Sequence, residues 1–171
     1  MWVERLLDTP EACKIDKDAV LTAAVFHDVG YSALDNTKSH AENSADIFDE
    51  YAINNDFDNS KSDFISYLIR NHSSKELMFA EGTPMELIIL MEADLLDETG
   101  AMAIVWDCMA EGAETEQSFV KAYEHIINYS GKILENNPMF TQKAKEFWSE
   151  KQKLVSEFIR YLAFDLAVLT K

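Results

Sequence analysis

Turn residues are what this chain most lacks. Five glycines and three prolines serve 171 residues, where roughly 20 would be ordinary for that length. A sandwich or barrel of many strands needs such punctuation about every ten residues. Long helices need little, and the Ala, Leu, Glu and Lys that fill the intervals favour helix. With 47% hydrophobic residues the chain can bury a core of its own, so a disordered segment is excluded. The expectation is an all-α helical bundle, a single domain over residues 1–171.

Charge narrows the function classes. Fifteen basic against 31 acidic residues give a formal net charge of −16. Nucleic-acid binding is therefore not expected, because it uses a basic face. A bound metal could still reverse the sign locally for an anionic ligand. No apolar run approaches the roughly 18 residues of a membrane span, and no signal-peptide pattern opens the chain. A cytoplasmic location without a membrane partner is the expectation. Cys13 and Cys108 fit no metal or redox spacing and read as small buried hydrophobes of a reducing compartment. Trp2, Trp106 and Trp148 read as core residues, or else as anchors of a homo-oligomer interface.

The few punctuation marks divide the chain into helical pieces. Met1–Leu7 has helical character. Asp16 can cap a helix whose Val20, Ala23, Ala24 and His27 share one face, with Gly30 as its stop. Ser39 and Glu42 form a capping-box pair for a helix from His40 to about Tyr51. Ser60 or Ser62 can cap one reaching Asn71. Thr83-Pro84-Met85-Glu86 combines a cap, a proline in the first turn and the reciprocal glutamate. Gly100 separates that helix from one ending near Glu111, and two longer segments follow, about Glu116–Glu135 and Thr141–Leu169.

Four histidines carry most of the chemistry, and three precede residue 73. His27 is followed at once by Asp28, and His40 and His72 fall at predicted helix ends. Successive residues of a straight helix point about 100° apart, so His27 and Asp28 can converge only where the backbone bends at the helix end. Imidazole and carboxylate together suit Mn, Fe, Co, Ni or Zn, and a carboxylate can bridge two ions. Taken singly, each residue has a plainer reading as a surface or helix-terminal group. Asp94 is harder to dismiss: among Met91, Ala93, Leu95 and Leu96 a buried carboxylate would need a metal, a cation or hydrogen bonds. His125 reads as a core or rim residue.

Order and spacing strengthen the case. Leu21-Thr22-Ala23-Ala24-Val25-Phe26-His27-Asp28-Val29-Gly30-Tyr31, then Ser39-His40-Ala41-Glu42, Arg70-Asn71-His72 and Ala93-Asp94-Leu95-Leu96-Asp97-Glu98-Thr99-Gly100-Ala101 follow one another along a helical chain. This resembles the HD-domain superfamily, largely metal-dependent phosphohydrolases. Tyr123–Phe158 resembles the C-terminal helices of a bacterial subgroup of small predicted hydrolases. The resemblance implies an HD-like bundle with the metal site between central helices and residues 115–171 packed on the HD core. His27, Asp28 and Asp94 would bind the principal ion, and His40 and His72 a second, with Asp28 bridging. Where only one ion binds, His40 or His72 would touch substrate phosphate. Asp28, His40 and His72 would then be the catalytic residues, acting on a nucleotide or other small phosphate ester through a metal-activated water. Lys38 and Lys75 are basic candidates for contact with the phosphate.

The sequence departs from the family at two places. The resemblance implies a further histidine on the first helix, at a place that falls at or just before Met1, and no histidine precedes His27. Leu95 stands where the subgroup often has arginine. Two alternatives stay open: an inactive or weak metal- or ligand-binding member lacking the first histidine, and a di-iron oxygenase.

Overall fold

The computed structural model describes residues 1–9, 14–33 and 37–168. Among these residues the chain is helical throughout and contains no strand. The α-helices are α1 (Trp2–Leu7), α2 (Lys17–Phe26), α3 (His40–Asn54), α4 (Asn59–Asn71), α5 (Met85–Asp97), α6 (Ala101–Gly112), α7 (Phe119–Ile126) and α8 (Gln142–Asp165). Short 3-10 helices cover Val29–Ser32 and Lys75–Phe79, and a π-helical stretch, Ile127–Gly131, follows α7. None of the described helices is long and apolar enough to cross a membrane. The chain groups into two compact units, Met1–Asp94 and Leu95–Lys171, divided within α5.

In the first unit α2, α3 and α4 pack on one another. The reason is legible along α3, where Ala41, Ala45, Phe48 and Ala52 recur on one face and are all buried. Alanines at three of these positions let neighbouring helices approach closely, and Phe48 fills the space between them. Its ring meets Phe26 edge-to-face at 5.2 Å. Ala19, Val20 and Ala23 of α2 and Ile65, Leu68 and Ile69 of α4 complete this core.

Capping sets the helix starts. Asp16 accepts the Ala19 N–H at 3.0 Å. Ser39 Oγ accepts the Glu42 N–H at 3.2 Å while Glu42 accepts the Ser39 N–H at 2.9 Å. The start of α4 differs from expectation: Asp58, not Ser60 or Ser62, is its cap and accepts the Lys61 N–H at 3.0 Å. The carboxylate is the stronger acceptor, and Ser60 donates to it at 2.6 Å. Just ahead of α5 the Thr83 hydroxyl donates to the Leu77 carbonyl at 2.7 Å. Gly30 does not simply stop α2, which ends at Phe26, but lies inside the 3-10 turn that follows.

In the second unit α6, α7, the π-helical stretch and α8 pack together. Gly100 precedes α6 at φ +78°, in the left-handed region glycine tolerates. The segment expected as one helix over 116–135 starts later, with Ser118 as its cap, and changes winding at Ile127. Thr141 caps α8 through the Ala144 N–H at 3.2 Å. The expected end of α8 at Leu169 lies outside the described residues, as does Cys13. Trp148 is a core residue whose indole N–H donates to the Asn136 carbonyl at 2.8 Å. Cys108 and Trp106 do not follow the expectation of burial: both lie on sides of α6 that no described residue covers.

Candidate metal centre

Four helix ends and turns of the first unit supply the site. His27 terminates α2, and Asp28 follows with φ −112° and ψ 1°, the sparsely populated bridge conformation. That bend overcomes the 100° divergence of neighbouring helical residues, and the two side chains turn to one place. His27 Nε2 lies 3.3 Å from Asp28 Oδ2. His40 opens α3, His72 closes α4 and Asp94 sits in the last turn of α5.

Gly30 is what lets α2 and α3 meet here. Its N–H donates to Ser44 Oγ at 2.8 Å. A Cβ at this position would stand 2.1 Å from the His40 carbonyl oxygen and 2.5 Å from the Ser44 nitrogen, so no side chain fits without moving backbone. The glycine is needed for close approach, not for an unusual φ.

The side chains converge on Asp28. His72 Nε2 is 3.5 Å and His40 Nε2 3.7 Å from Asp28 Oδ1, and the two imidazole nitrogens are 3.1 Å apart. Asp94 Oδ1 lies 3.5 Å from His27 Nε2. The structure thus brings together His27, Asp28, His40, His72 and Asp94. Lys75 joins them, donating to Asp94 Oδ2 at 2.5 Å and to the His72 carbonyl at 2.9 Å. Lys38 instead pairs with Asp46 of α3 at 2.5 Å, beside Arg70. His125 belongs to the second unit, where it meets Glu111 at 2.9 Å.

The donor set fits a divalent ion. His27 Nδ1 faces the Ala24 carbonyl at 2.9 Å, and His72 Nδ1 faces the Ile69 carbonyl at 2.7 Å. A carbonyl only accepts, so each Nδ1 carries the hydrogen and each ring turns Nε2 outward, the atom that offers a lone pair once its own proton is lost. This is how protein carbonyls orient metal-ligating histidines. Ligand atoms of His27, Asp28 and His72 all lie within 4.8 Å of one another.

Electrostatics follow from the same contacts. Burial works to raise the Asp94 pKa, but His27 and Lys75 outweigh it and hold the carboxyl at about 2. Burial opposes protonation of His27, yet Asp94 and Asp28 prevail and its pKa lies above the usual histidine value. His72 is pushed down, chiefly by burial and further by the positive charge of His27 and Lys75.

Sequence reasoning did not single out Tyr31. Its ring stacks on His40 at 4.3 Å with the planes 6° apart, while the residue stays 71% exposed. Its place three residues after Asp28, in the same turn, was the available signal.

A helical bundle with histidines and aspartates gathered at the ends of α2 to α5 defines a class, and the comparisons agree. The chain belongs to the HD domain family, whose model matches residues 2–99. No curated protein matches the sequence. Among solved structures, the Lin1889 protein from Listeria innocua is similar over 99% of this chain and 85% of its own, with 22% identity and a TM-score of 0.66. YpgQ of Bacillus subtilis is similar over 96% of this chain and 91% of its own, with 18% identity and a TM-score of 0.52. These likenesses show the fold.

Proposed function

We propose that the chain is a metal-dependent phosphohydrolase acting on a nucleotide or another small phosphate ester. The observation that carries this reading is the pair of imidazoles, His27 and His72, whose Nδ1–H groups are held by main-chain carbonyls and whose Nε2 atoms are turned towards Asp28. His27, Asp28 and Asp94, with His72 and His40 beside them, would hold one or two ions of Mn, Fe, Co, Ni or Zn. When bound, such an ion supplies a Lewis acid for phosphoryl oxygens and an acidified water.

The chain's own residues divide the remaining work. Asp28 is more open than Asp94, with 44% of its side chain exposed against 13%, and would take the proton of the attacking water. Lys75, steadied by the His72 carbonyl, donates to a phosphate oxygen and offsets the −16 background where an anion enters. Where a single ion is held by His27, Asp28 and Asp94, His40, flat against Tyr31, would donate to the ester oxygen as its bond to phosphorus breaks.

The engagement of an Asp94 oxygen by Lys75 favours a second reading, binding of metal or phosphate ligand without turnover. One experiment separates them. Purified protein is analysed for metal, reloaded with each ion in turn, and assayed for phosphate release from nucleotides and sugar phosphates. Release that disappears in Asp28→Asn supports hydrolysis. Ligand-induced thermal stabilisation without release supports binding alone, and neither metal uptake nor stabilisation would refute both.

A further inference from the structure

The described residues cover one side of α6 and leave an apolar side open. Ile104 and Asp107 form its buried side. Met102, Val105, Trp106 and Met109 recur at i, i+3, i+4 and i+7 on the other, and all four are exposed, Trp106 to 70%. An apolar stripe of this length on a helix ordinarily faces a neighbour. Tyr129 and Ile133 extend the stripe: with Met102 and Trp106 they wall a groove of about 450 Å³, whose lining also includes the carboxylates Asp97, Glu98 and Asp107. Both are exposed as well.

We propose that this face is a self-association surface and that its occupant is a second copy of the chain, docked α6 against α6 about a two-fold axis. Two observations select that occupant. The first is charge. The only ionisable carboxylates of α6 are already engaged, Asp107 by Ser130 and His125, Glu111 by His125. The four side chains of the stripe on α6 thus carry no charge themselves, and the carboxylates Asp97 and Glu98 stand ahead of Gly100, at the groove beside it. A copy carrying −16 is repelled by most of this surface, and an uncharged stripe is where the repulsion is least. An isologous contact needs only a patch complementary to itself, which an apolar stripe with a groove beside it provides. The second is area. The six side chains expose roughly 700 Å², close to the roughly 800 Å² each partner gives to a stable interface.

Trp106, large, aromatic and central in the stripe, is the anchor. Sedimentation velocity of the full chain across about 1–100 µM tests the proposal. The expected result is a monomer–dimer equilibrium that tightens as salt rises, because salt screens the repulsion between like-charged copies while leaving apolar contact intact. Trp106→Glu should weaken association at least about 30-fold with an unchanged far-ultraviolet spectrum. Should that variant misfold, Val105→Arg makes the same test at the edge of the stripe. Tryptophan emission of the wild-type chain should shift to the blue with concentration, since Trp148 is already buried and Trp106 is not.

A chain monomeric throughout the range overturns the proposal. So does a dimer loosened by salt, or one indifferent to both substitutions. Binding of a different protein to this face by a chain that stays monomeric also overturns it.

Discussion

Lys75 and Asp94 are the residue pair on which the site turns. The ammonium sits where it neutralises a buried carboxylate, at 2.5 Å from Asp94 Oδ2, and so competes with any ion for that oxygen. Lys75→Met should therefore tighten metal binding, by about tenfold in calorimetry, while raising the KM for a phosphate ester. The same pair sets a pH dependence for the metal-free chain. Asp94 is held at about 2 when folded and returns to about 3.9 when unfolded. Its contribution to stability is thus complete above the unfolded value and is lost as pH falls towards 2, an effect of about 2 kcal/mol. Urea titrations between about pH 5 and 2 should show that loss, and Asp94→Asn should flatten it. His27 acts with the opposite sign: its raised pKa stabilises below the unfolded value, and that gain goes as pH rises through the folded one. The five residues that meet were each visible as letters in the sequence. Lys75 was visible only as a nearby charge, because its pairing with Asp94 spans 19 positions and depends on the 3-10 turn at Lys75–Phe79.

At the level of helices and turns, Gly30 is the position least tolerant of change. Gly30→Ala would drive a Cβ into the His40 carbonyl and the Ser44 nitrogen, so α2 and α3 must separate. A destabilisation of about 1–3 kcal/mol is expected, together with weakened metal uptake, because His27 and His40 then move apart; denaturant melts and metal titration check the two effects. Ser39→Ala should cost about 1 kcal/mol through loss of its cap, without that second effect being large. Most helix starts were legible because capping is local chemistry: Asp16, Ser39 and Thr141 act within three residues of themselves. Asp58 shows where this fails. A carboxylate and two hydroxyls compete for few N–H groups there, and the winner depends on where the preceding loop runs. The role of Gly30 was hidden for a related reason, since a glycine needed for approach looks in sequence like a glycine that ends a helix.

Across the molecule, the whole candidate site lies in the unit Met1–Asp94, inside the segment matched by the HD domain family. Gly100 marked where α6 begins, but nothing in the sequence showed that Met102, Val105, Trp106 and Met109 would face outward, because a pattern cannot count how many neighbours a helix finds. His27 and His72 draw their orientation from carbonyls of their own helices, and the buried Ala45, Phe48, Ile65 and Ile69 hold those helices in place. The ligands are therefore arranged by the hydrocarbon core and not by the ion. Zinc-finger-like domains collapse when a chelator removes their metal; here, circular dichroism should be unchanged by EDTA while bound metal is lost. On that outcome occupancy and folding are separate variables. An ion at this site would be exchanged without the chain passing through an unfolded state, and its identity would follow the supply at each moment and not the ion present at folding.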